Sequence, residues 1–415
     1  MLKHVLTTLL PRPLYVKLLS PYHLAFNFVV AFLSGFPGRK LTVIGVTGTK
    51  GKSSVSEMLF HVLRVAEKSA AVSGTIRFAI NDEVKPNKFK MTMPGHGFLH
   101  EFLKEAVSKG AKYAVLELTS EGAVQHRHRF LALNALIFTN QEKEHIESHG
   151  SMEAYIRAKF KIGKVLAHSN KRPRAIIANR DNPLSAPYLA LPVEERIAFS
   201  IEDASDIVFQ DGTSMFTFEH IRFTLPHPGN FSIMNALAVI KTARFLGIPL
   251  ETSRDALASL ARIPGRAEKI DEQQPFTAIV DYAHTPDSLK ALYEAYPGRK
   301  ICVLGNTGGG RDTWKRPLMG ALADEYCSDV ILTDEDPYDE DPLSIVESMT
   351  TDMKRTPTII MERKEAIKEA LLRAHPGDTV LITGKGTDPY IMRANGEKEV
   401  WSDSEVVREL LKEMQ

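Results

Sequence analysis

The sequence predicts an α/β protein with two parallel-sheet domains. From Leu41 onward, short apolar runs alternate with longer amphipathic stretches, which is typical of strands and helices in such sheets. This rhythm pauses at Ala261–Ile270 and then restarts. A chain of 415 residues has room for two or three domains. We therefore expect a short segment at 1–40, a central nucleotide-binding domain at 41–268 and a Rossmann-like, doubly wound domain at 269–415.

The central domain is predicted from its strands and from one long amphipathic helix. The run "LTVIGV" predicts the first strand, followed by a helix from about Ser53 to Ala66. Further strands are predicted in "AKYAVLEL", "ALIFTN" and "RAIIAN". The stretch "FSIMNALAVIKTARFLG" predicts a helix that ends at Gly247, a good C-cap residue. Between Ser200 and Pro228, alternating pieces such as "IRFTL" indicate a local antiparallel patch.

The second domain is predicted from five apolar runs that each end in polar residues. These runs are "TAIVDYAH", "KICVLGN", "DVILTDED", "TPTIIME" and "DTVLITGKG". Ligands of doubly wound sheets bind at the carboxyl ends of the strands. We therefore expect ligand-binding loops at the ends of these strands.

The first 40 residues differ from the rest of the chain. They contain five Lys or Arg residues and no Asp or Glu, and no formal charge lies between Lys17 and Arg39. A helix that packs on the next domain is the first interpretation. A monotopic helix on the inner face of the membrane is the second, because the segment is aromatic and flanked by basic residues. A membrane-spanning helix is the third, weakened by Pro21, His23 and Asn27.

Composition excludes several classes of function. A net charge of +1 gives no argument for binding nucleic acid. The two cysteines, Cys302 and Cys327, are too few for a disulfide framework or a cysteine metal site. These features fit a protein of a reducing cytoplasm.

A glycine-rich loop between the first strand and the first helix predicts a phosphate site. In "GVTGTKGKSS", Gly48 and Gly51 allow backbone N–H groups to approach a phosphate, and the following helix adds its positive end. Lys52 would reach the outer phosphates of ATP, and Ser53 or Ser54 would hold Mg²⁺. The glycine spacing is offset from that of the usual Walker A motif.

Three further residues are candidates for the chemistry. Glu117 ends a predicted strand, where a carboxylate can bind Mg²⁺, although a solvated loop glutamate is the alternative. His145 and Lys159 follow in "FTNQEKEHIESHGSMEAYIRAKFKI", and each could be an ordinary surface residue.

Together these motifs resemble the Mur ligases, the ATP-dependent amide-forming enzymes of peptidoglycan synthesis, and most closely the MurE type. The resemblance rests on the phosphate loop and on six later motifs in the same order. These are "LELTSEGAVQHR", "FTN…EHIESHG…AK", "PGRAE", "DYAHTPDSL", "GGGRDTWKRPLMG" and "GKG". The resemblance implies a Mur ligase-like α/β fold, with a central P-loop ATPase domain and a C-terminal domain that binds the amine.

The resemblance also implies roles for individual residues. ATP and two Mg²⁺ ions would be bound, and Lys159 would be carbamylated to position the second metal. Lys52, Glu117, His145 and Lys159 would be catalytic, with Ser53, Glu117 and His145 as metal ligands. The nucleotide would be held by Gly48, Thr49, Lys50, Gly51, Lys52, Ser53, Ser54, Asn235, Arg266, Asp281 and Arg311. The substrates, a peptide-like carboxylate acceptor and an amino acid, would contact Thr92, Glu335, Asp336, Tyr338, Lys385 and Asp388.

Two departures from the family affect substrate choice. The N-terminal UDP-binding domain of the family is much larger than 40 residues, so we expect it to be missing or replaced here. The loop that selects diaminopimelate carries an Arg in the family, whereas Tyr338 stands at that place within "TDEDPYDEDP". This acidic loop indicates a cationic amino acid such as lysine or ornithine, with a solvated acidic loop as the alternative.

Two other functions remain open at the level of sequence. One is a folylpolyglutamate, cyanophycin or poly-γ-glutamate type of ligase, which also lacks a UDP-binding domain. The other is a degenerate ligase that binds nucleotide as a scaffold. The presence of Lys52, Glu117, His145 and Lys159 favours an enzyme.

Overall fold

The computed structural model describes residues 12–144, 146–210, 212–260, 262–310 and 312–414, with side chains from residue 19 onward. Two compact units form. The first contains residues up to Glu142 together with Gly150–Asp203 and Met234–Leu257, and the second contains Lys143–His149, Ala204–Ile233 and the chain from Ala258 onward. The domain boundaries at 40/41 and 268/269 remain predictions from sequence.

The described helices alternate with strands along the chain, as the sequence predicted. They are α1 (Arg12–Leu33), α2 (Lys52–Val65), α3 (Phe98–Ser108), α4 (Ser120–Val124), α5 (Ile146–His149), α6 (Met152–Ala167), α7 (Ala186–Leu189), α8 (Asn230–Phe245), α9 (Leu250–Ala258), α10 (Pro286–Ala295), α11 (Lys315–Tyr326), α12 (Pro342–Thr350), α13 (Arg363–Leu372) and α14 (Asp403–Glu413).

The described strands fall into four sheets. They are β1 (Thr42–Thr47), β2 (Ala70–Ser73), β3 (Arg77–Ile80), β4 (Glu83–Pro86), β5 (Tyr113–Glu117), β6 (Leu133–Phe138), β7 (Ala175–Asn179), β8 (Glu195–Phe199), β9 (Ser205–Gln210), β10 (Thr213–Phe218), β11 (Ile221–Leu225), β12 (Glu268–Ile270), β13 (Thr277–Asp281), β14 (Lys300–Leu304), β15 (Asp329–Leu332), β16 (Thr358–Ile359), β17 (Thr379–Thr383), β18 (Tyr390–Met392) and β19 (Lys398–Val400).

The first unit is built on an eight-stranded sheet in the order β4-β3-β2-β5-β1-β6-β7-β8. Neighbouring strands in the row β2-β5-β1-β6-β7-β8 are parallel. The strands β3 and β4 extend the sheet beyond β2, and each is antiparallel to its neighbour. The central strands are buried on both faces, which explains their continuous apolar runs. The edge strand β4 is exposed along its length. The predicted parallel sheet is confirmed.

The second unit contains a six-stranded sheet in the order β12-β13-β17-β14-β15-β16. Only β12 is antiparallel to its neighbour in this sheet. The strands β9, β10 and β11 form a separate antiparallel sheet, so the predicted local patch is confirmed. Two cysteines are too few for a framework, but the structure joins Cys302 and Cys327 by one buried disulfide between β14 and the residue after α11.

Helix α1 packs one face on the first unit and exposes the other. Asn27 and Ala31 are buried, whereas Phe28, Phe32 and Leu33 are 47%, 64% and 72% exposed. Within the described ranges, no helix has both the length and the apolar character needed to cross a bilayer.

Candidate active site

The phosphate loop joins β1 to α2. At two of its glycines, neighbouring side chains leave no room for a Cβ atom. Gly51 has φ +79°, and a Cβ there would lie 2.4 Å from Asn235 Oδ1. A Cβ on Gly48, at φ +154°, would lie 1.8 Å from Thr139 Oγ1. Glycine is therefore required at both positions. The structure places Asn235, predicted to lie near the nucleotide, directly beside this loop.

The two residues after β6 hold the loop in shape. Asn140 accepts from the backbone N–H of Lys50 through Oδ1 at 2.8 Å and from that of Thr49 through its carbonyl at 2.9 Å. Thr139 Oγ1 donates to the carbonyl of Lys50 at 2.6 Å. The side chain of Lys50 pairs with Glu142. Thr139 and Asn140 belong to the "FTN" motif, but neither is among the site residues predicted from sequence.

The cation of the loop lies at its centre. Lys52 Nζ donates to the carbonyls of Gly48 and Thr49, at 3.0 and 2.8 Å. Ser53 is buried in the first turn of α2, and Ser54 follows it half-buried. Backbone N–H groups, a helix N-terminus and an ammonium thus converge, which suits the phosphates of a nucleotide.

Glu117 lies beside this loop because β5 pairs with β1. Its partner in register is Val46, two residues before Gly48. The carboxylate is buried and accepts from Thr75 Oγ1 at 2.7 Å. Thr75 Oγ1 also shares a hydrogen bond of 2.7 Å with Thr92 Oγ1. The predicted substrate residue Thr92 is therefore linked to Glu117 through Thr75, which sequence reasoning missed.

Lys159 is a buried residue at the phosphate loop rather than a solvated lysine of a helix surface. It is 1% exposed on α6. Its Nζ donates to Thr49 Oγ1 at 3.0 Å and to the hydroxyl of Tyr155. The ammonium also lies 4.3 Å from the ring centroid of Tyr155. The loop residue Thr49 contacts Lys159 directly, and the role of Lys159 at a bound nucleotide remains a prediction.

The described residues fit Mg²⁺ bound together with nucleotide phosphate. In the described part of the chain, no group of three or more His, Cys, Asp or Glu side chains comes together as a metal site. Mg²⁺ is usually held by one or two carboxylates, phosphate oxygens and water, so the buried carboxylate of Glu117 on the strand next to β1 would be sufficient. His145, the other predicted ligand, lies outside the described residues.

A guanidinium that sequence reasoning did not assign lies next to Thr92. Arg127 donates through Nη1 to the carbonyl of Met93 and through Nη2 to Gln125 Oε1 at 2.6 Å. Its Nε is buried without a partner. Burial lowers the pKa of Arg127 from its ordinary value. The motif "LELTSEGAVQHR" contains this arginine, but its neutral acceptors, the carbonyl of Met93 and Gln125, are seen only in the structure.

In the second unit, the residues predicted to reach the nucleotide are engaged with the backbone. Arg266 Nη1 donates to the carbonyl of Gly265 at 2.8 Å, and its guanidinium lies 4.5 Å from the ring centroid of Tyr282. Asp281 accepts from two backbone N–H groups, those of Ala267 at 2.6 Å and Ala283 at 2.7 Å. Burial raises the pKa of Asp281. Their contacts with nucleotide remain predictions, and Arg311 lies outside the described residues.

Three of the predicted amine-binding residues form one ionic cluster. Lys385 is fully buried and donates to Asp336 Oδ1 at 2.8 Å and to the carbonyl of Tyr390 at 2.6 Å. Asp388 Oδ2 lies 3.6 Å from the same ammonium. Asp336 also accepts from the backbone N–H of Met392 at 2.8 Å. Lys385 thereby compensates the charge of Asp336.

Glu335 is buried in this cluster with one oxygen unpaired. Thr307 Oγ1 donates to Oε1 at 3.0 Å, whereas Oε2 is buried without a hydrogen-bond partner. A Cβ on Gly384 would lie 2.2 Å from that oxygen. Burial raises the pKa of Glu335, an effect that the charge of Arg363 opposes. A buried carboxylate in this state favours a cationic partner.

Tyr338 lines an acidic groove of about 760 Å³. Its backbone has φ +54°, and its N–H donates to the carbonyl of Met392 at 3.0 Å. The charged lining comprises Arg393 and the acids Asp339, Glu340, Asp341, Glu397 and Glu399. Arg393 pairs with Asp334 and, at 2.6 Å, with Glu399. The stretch "TDEDPYDEDP" contains no Lys or Arg, and the cation of the groove, Arg393, comes instead from the segment between β18 and β19.

Comparison with protein families agrees with the fold. The Mur ligase middle domain matches residues 46–243, and the Mur ligase, glutamate ligase domain matches residues 265–386. The chain is 34% identical over 394 residues to a UDP-N-acetylmuramoyl-L-alanyl-D-glutamate--2,6-diaminopimelate ligase of Caldanaerobacter subterraneus, covering 91% of this chain and 79% of that protein. It is 32% identical to a UDP-N-acetylmuramyl-tripeptide synthetase of Roseiflexus sp., covering 93% and 81%.

Solved structures show the same architecture. A structure of UDP-N-acetylmuramoyl-L-alanyl-D-glutamate--2,6-diaminopimelate ligase matches with a TM-score of 0.61 and 28% identity, covering 90% of this chain and 79% of that one. Folylpolyglutamate synthase of Mycobacterium tuberculosis matches with a TM-score of 0.71 and 14% identity, covering 90% and 96%. The second likeness shows the fold alone.

Proposed function

The chain belongs to the Mur ligase family, and we propose that it is a MurE-type ligase of peptidoglycan synthesis. It would join an amino acid to the carboxylate of a UDP-muramoyl-peptide-like acceptor, with ATP converted to ADP. The observation that carries this proposal is the convergence of Lys52, Glu117 and Lys159 on one phosphate loop. The relatives named above supply the class of substrate. The reaction would take place in the cytoplasm, where ATP is available.

The proposed chemistry follows from the weakness of a carboxylate as an acyl donor. Transfer of the γ-phosphoryl group converts it to an acyl phosphate, and attack by the amine then forms the amide and releases phosphate. Lys52 and the loop N–H groups bind and orient the phosphates, while Ser53 and Glu117 would hold Mg²⁺. When bound, Mg²⁺ neutralises phosphate charge during the transfer.

We assign Lys159 a role as a carbamate. Reaction of its neutral amine with CO₂ forms an N–C bond and releases one proton, so that a buried cation becomes an anion. Lys159 is buried beside the phosphate loop, where its Nζ contacts the hydroxyls of Thr49 and Tyr155, and a carbamate formed there would lie close to a metal bound with the nucleotide phosphates. The carbamate would then position the second Mg²⁺ beside the loop.

We propose that the amine substrate carries a cationic side chain, as lysine and ornithine do. Glu335 offers a buried, unpaired oxygen, and the groove beside Tyr338 is acidic. A distal carboxylate, as in diaminopimelate, would meet repulsion there. The cations nearby are occupied: Arg363 is buried and paired with Asp403 at 2.8 Å, and Arg393 is paired with two acids.

We further propose that α1 contacts the surface of an anionic membrane. Its exposed face presents Phe28, Phe32 and Leu33, and the basic residues Arg39 and Lys40 follow it. Sedimentation with phosphatidylglycerol vesicles would test this. The double variant Phe28→Ser/Phe32→Ser should lose binding, whereas Val400→Ser, which alters a residue 82% exposed elsewhere, should not. Equal sedimentation of both variants would contradict the proposal.

The test of the ligase activity is a screen of acceptor and amine pairs. Product mass would be read together with ADP release that depends on both substrates. A UDP-muramoyl dipeptide with lysine should give the tripeptide mass. ADP release without a ligated product for any peptide acceptor would contradict the assignment.

A further inference from the structure

A buried guanidinium lies next to the acidic loop of the second unit. Arg363 is the first residue of α13 and is 1% exposed. Its Nε and Nη2 donate to the two carboxylate oxygens of Asp403, each at 2.8 Å. Asp403 is fully buried at the start of α14 and also accepts from Trp401 Nε1 at 2.7 Å. The charge of Arg363 is thus compensated inside the protein.

Stability alone does not account for a buried ion pair of this kind. Apolar residues of similar volume often stabilise a protein as well as a buried ion pair does, because desolvation of two charges offsets their attraction. The other contacts of the guanidinium therefore indicate the role of Arg363. Its Nη1 donates to the carbonyl of Asp334 at 3.2 Å, and its Nη2 donates to that of Thr383 at 2.9 Å.

These two carbonyls belong to segments that no strand pairing joins directly. Asp334 follows β15 and Thr383 ends β17, and β14 lies between these two strands in the sheet. The next residues along the chain are Glu335 and Gly384. A Cβ on Gly384 would lie 2.2 Å from Glu335 Oε2, so the two segments meet at this oxygen. Arg363 therefore fixes the spacing of the two segments on either side of Oε2.

The same guanidinium acts on the charge of Glu335. Burial raises the pKa of Glu335, and the positive charge of Arg363 is the largest of the effects that lower it. Without Arg363, this carboxyl would keep its proton to higher pH and lose the negative charge that attracts an ammonium. The ionisable groups that act on the carboxyl are Arg363, Asp336, Lys385, Lys315 and Tyr282.

We propose that Arg363 is a positioning residue for the amine substrate. By holding the carbonyls of Asp334 and Thr383, it sets the gap in which Glu335 Oε2 accepts a hydrogen bond from the terminal ammonium of a lysine-like amine. Arg363 itself contacts protein groups and does not touch the substrate. This inference rests on the proposed function, because it concerns how the proposed amine is recognised.

The test replaces the ion pair by apolar residues of similar size. Arg363→Met/Asp403→Leu removes both charges together, so no unpaired charge is left in the interior. The matched control is Arg355→Met/Asp324→Leu. This second Arg–Asp pair also holds backbone carbonyls, but they belong to the two residues that precede β15, at the opposite end of that strand. Circular dichroism and thermal unfolding show whether each variant is folded.

The first measurement uses the protein alone. Protein that contains ¹³C-labelled glutamate is titrated with acid and followed by NMR spectroscopy, and Glu335→Gln identifies the signal of the Glu335 carboxyl. We expect the midpoint of this signal to move to higher pH in Arg363→Met/Asp403→Leu and to keep its wild-type value in the control. Because no substrate is present, this result decides the role of Arg363 even if no acceptor is ligated. Failure of the proposed function is therefore not mistaken for failure of this inference.

The second measurement compares lysine with norleucine, which lacks the terminal ammonium. KM and kcat are measured for each amine at saturating ATP and UDP-muramoyl dipeptide. In Arg363→Met/Asp403→Leu, we expect KM for lysine to rise by about tenfold or more, and to rise further as the pH is lowered. KM for norleucine and kcat for both amines should change much less. A general disturbance of the structure would affect both amines alike.

Arg363→Lys is the second variant and decides the result if the double variant does not fold. Its ammonium keeps the charge but cannot hold a carboxylate and two carbonyls in the plane of a guanidinium. It should raise the Glu335 midpoint and KM for lysine, each by a smaller amount. Three results would overturn the proposal: an unchanged Glu335 midpoint in a folded variant, an equal rise of KM for lysine and norleucine, or the same changes in the control pair.

Discussion

Replacement of Lys159 by two residues of different size tests its proposed carbamate. The lysine is 1% exposed and contacts Thr49 of the phosphate loop. Lys159→Ala removes the whole chain beyond Cβ and leaves a cavity beside that threonine. Lys159→Met keeps a stem of similar length and fills the same space, but neither variant can form a carbamate.

The two variants should differ in stability and agree in activity. Truncation of a fully buried long side chain to Ala costs about 2–5 kcal/mol, whereas the methionine should cost much less. Because the free energy of unfolding of a domain is about 5–15 kcal/mol, we expect both variants to remain largely folded. Loss of a charged group that stabilises the transition state should lower kcat by about 10²–10³-fold in both variants.

The assay is ADP release in the presence of acceptor and amino acid, with and without a short carboxylic acid such as acetate. The cavity of Lys159→Ala admits the acid, which replaces the missing anion, so activity should recover. The filled site of Lys159→Met should not respond. Wild-type protein equilibrated with ¹³C-bicarbonate should also show a carbamate carbonyl signal.

Three results would refute the reasoning: rescue of Lys159→Ala by methylamine instead of acetate, equal rescue of both variants, or near-normal turnover of either one without additions. The first result would show that a free ammonium is needed. The second would show that acetate acts elsewhere.

The remaining predictions concern charge at other positions. Lys52→Ala should lower turnover by about 10²-fold or more with the fold intact, since phosphate charge is then uncompensated; near-normal ADP formation would remove Lys52 from the site. Lysine or ornithine should exceed meso-diaminopimelate in kcat/KM, and Glu335→Gln should reduce that preference. A tenfold advantage for diaminopimelate, about 1.4 kcal/mol, would contradict the acidic-site assignment. Burial lowers the pKa of His100 to about 4 and of His128 to about 3, so the free energy of unfolding should fall as the pH drops from about 6.5 towards 4. The reason is that below about pH 6.5 these imidazoles bind protons in the unfolded chain but not in the folded chain. Urea denaturation of wild type and His128→Gln at pH 7 and pH 5 should show a smaller fall in the free energy of unfolding for the variant. Equal falls in the two proteins would contradict this prediction.

The order of elements and the phosphate loop could be read from the sequence because both depend on local pattern. The run "TVIGVT" is apolar because β1 is buried on both faces. Gly48 and Gly51 are required by the tight backbone beside Thr139 and Asn235, and such glycines are visible in a single sequence.

The partners of these residues could not be read in the same way, because they come from distant segments. Arg393 is paired with Asp334, 59 positions earlier, only because β18 and β19 return the chain to the acidic loop. The pairing of Cys302 with Cys327 likewise depends on the packing of β14 and α11. The unpaired oxygen of Glu335 depends on side-chain geometry, which no spacing of residues reveals.

The exposed edge strand β4 has a consequence for handling the protein. An edge strand offers free backbone groups onto which a strand of another molecule can add. Its four residues include Glu83, Lys85 and Pro86, and a proline has no N–H to donate. Charges of both signs and a proline at this edge oppose strand addition and hence aggregation. Lys85→Val/Pro86→Val would be a poor choice in any attempt to crystallise the first unit, since it would leave three consecutive valines on this exposed edge.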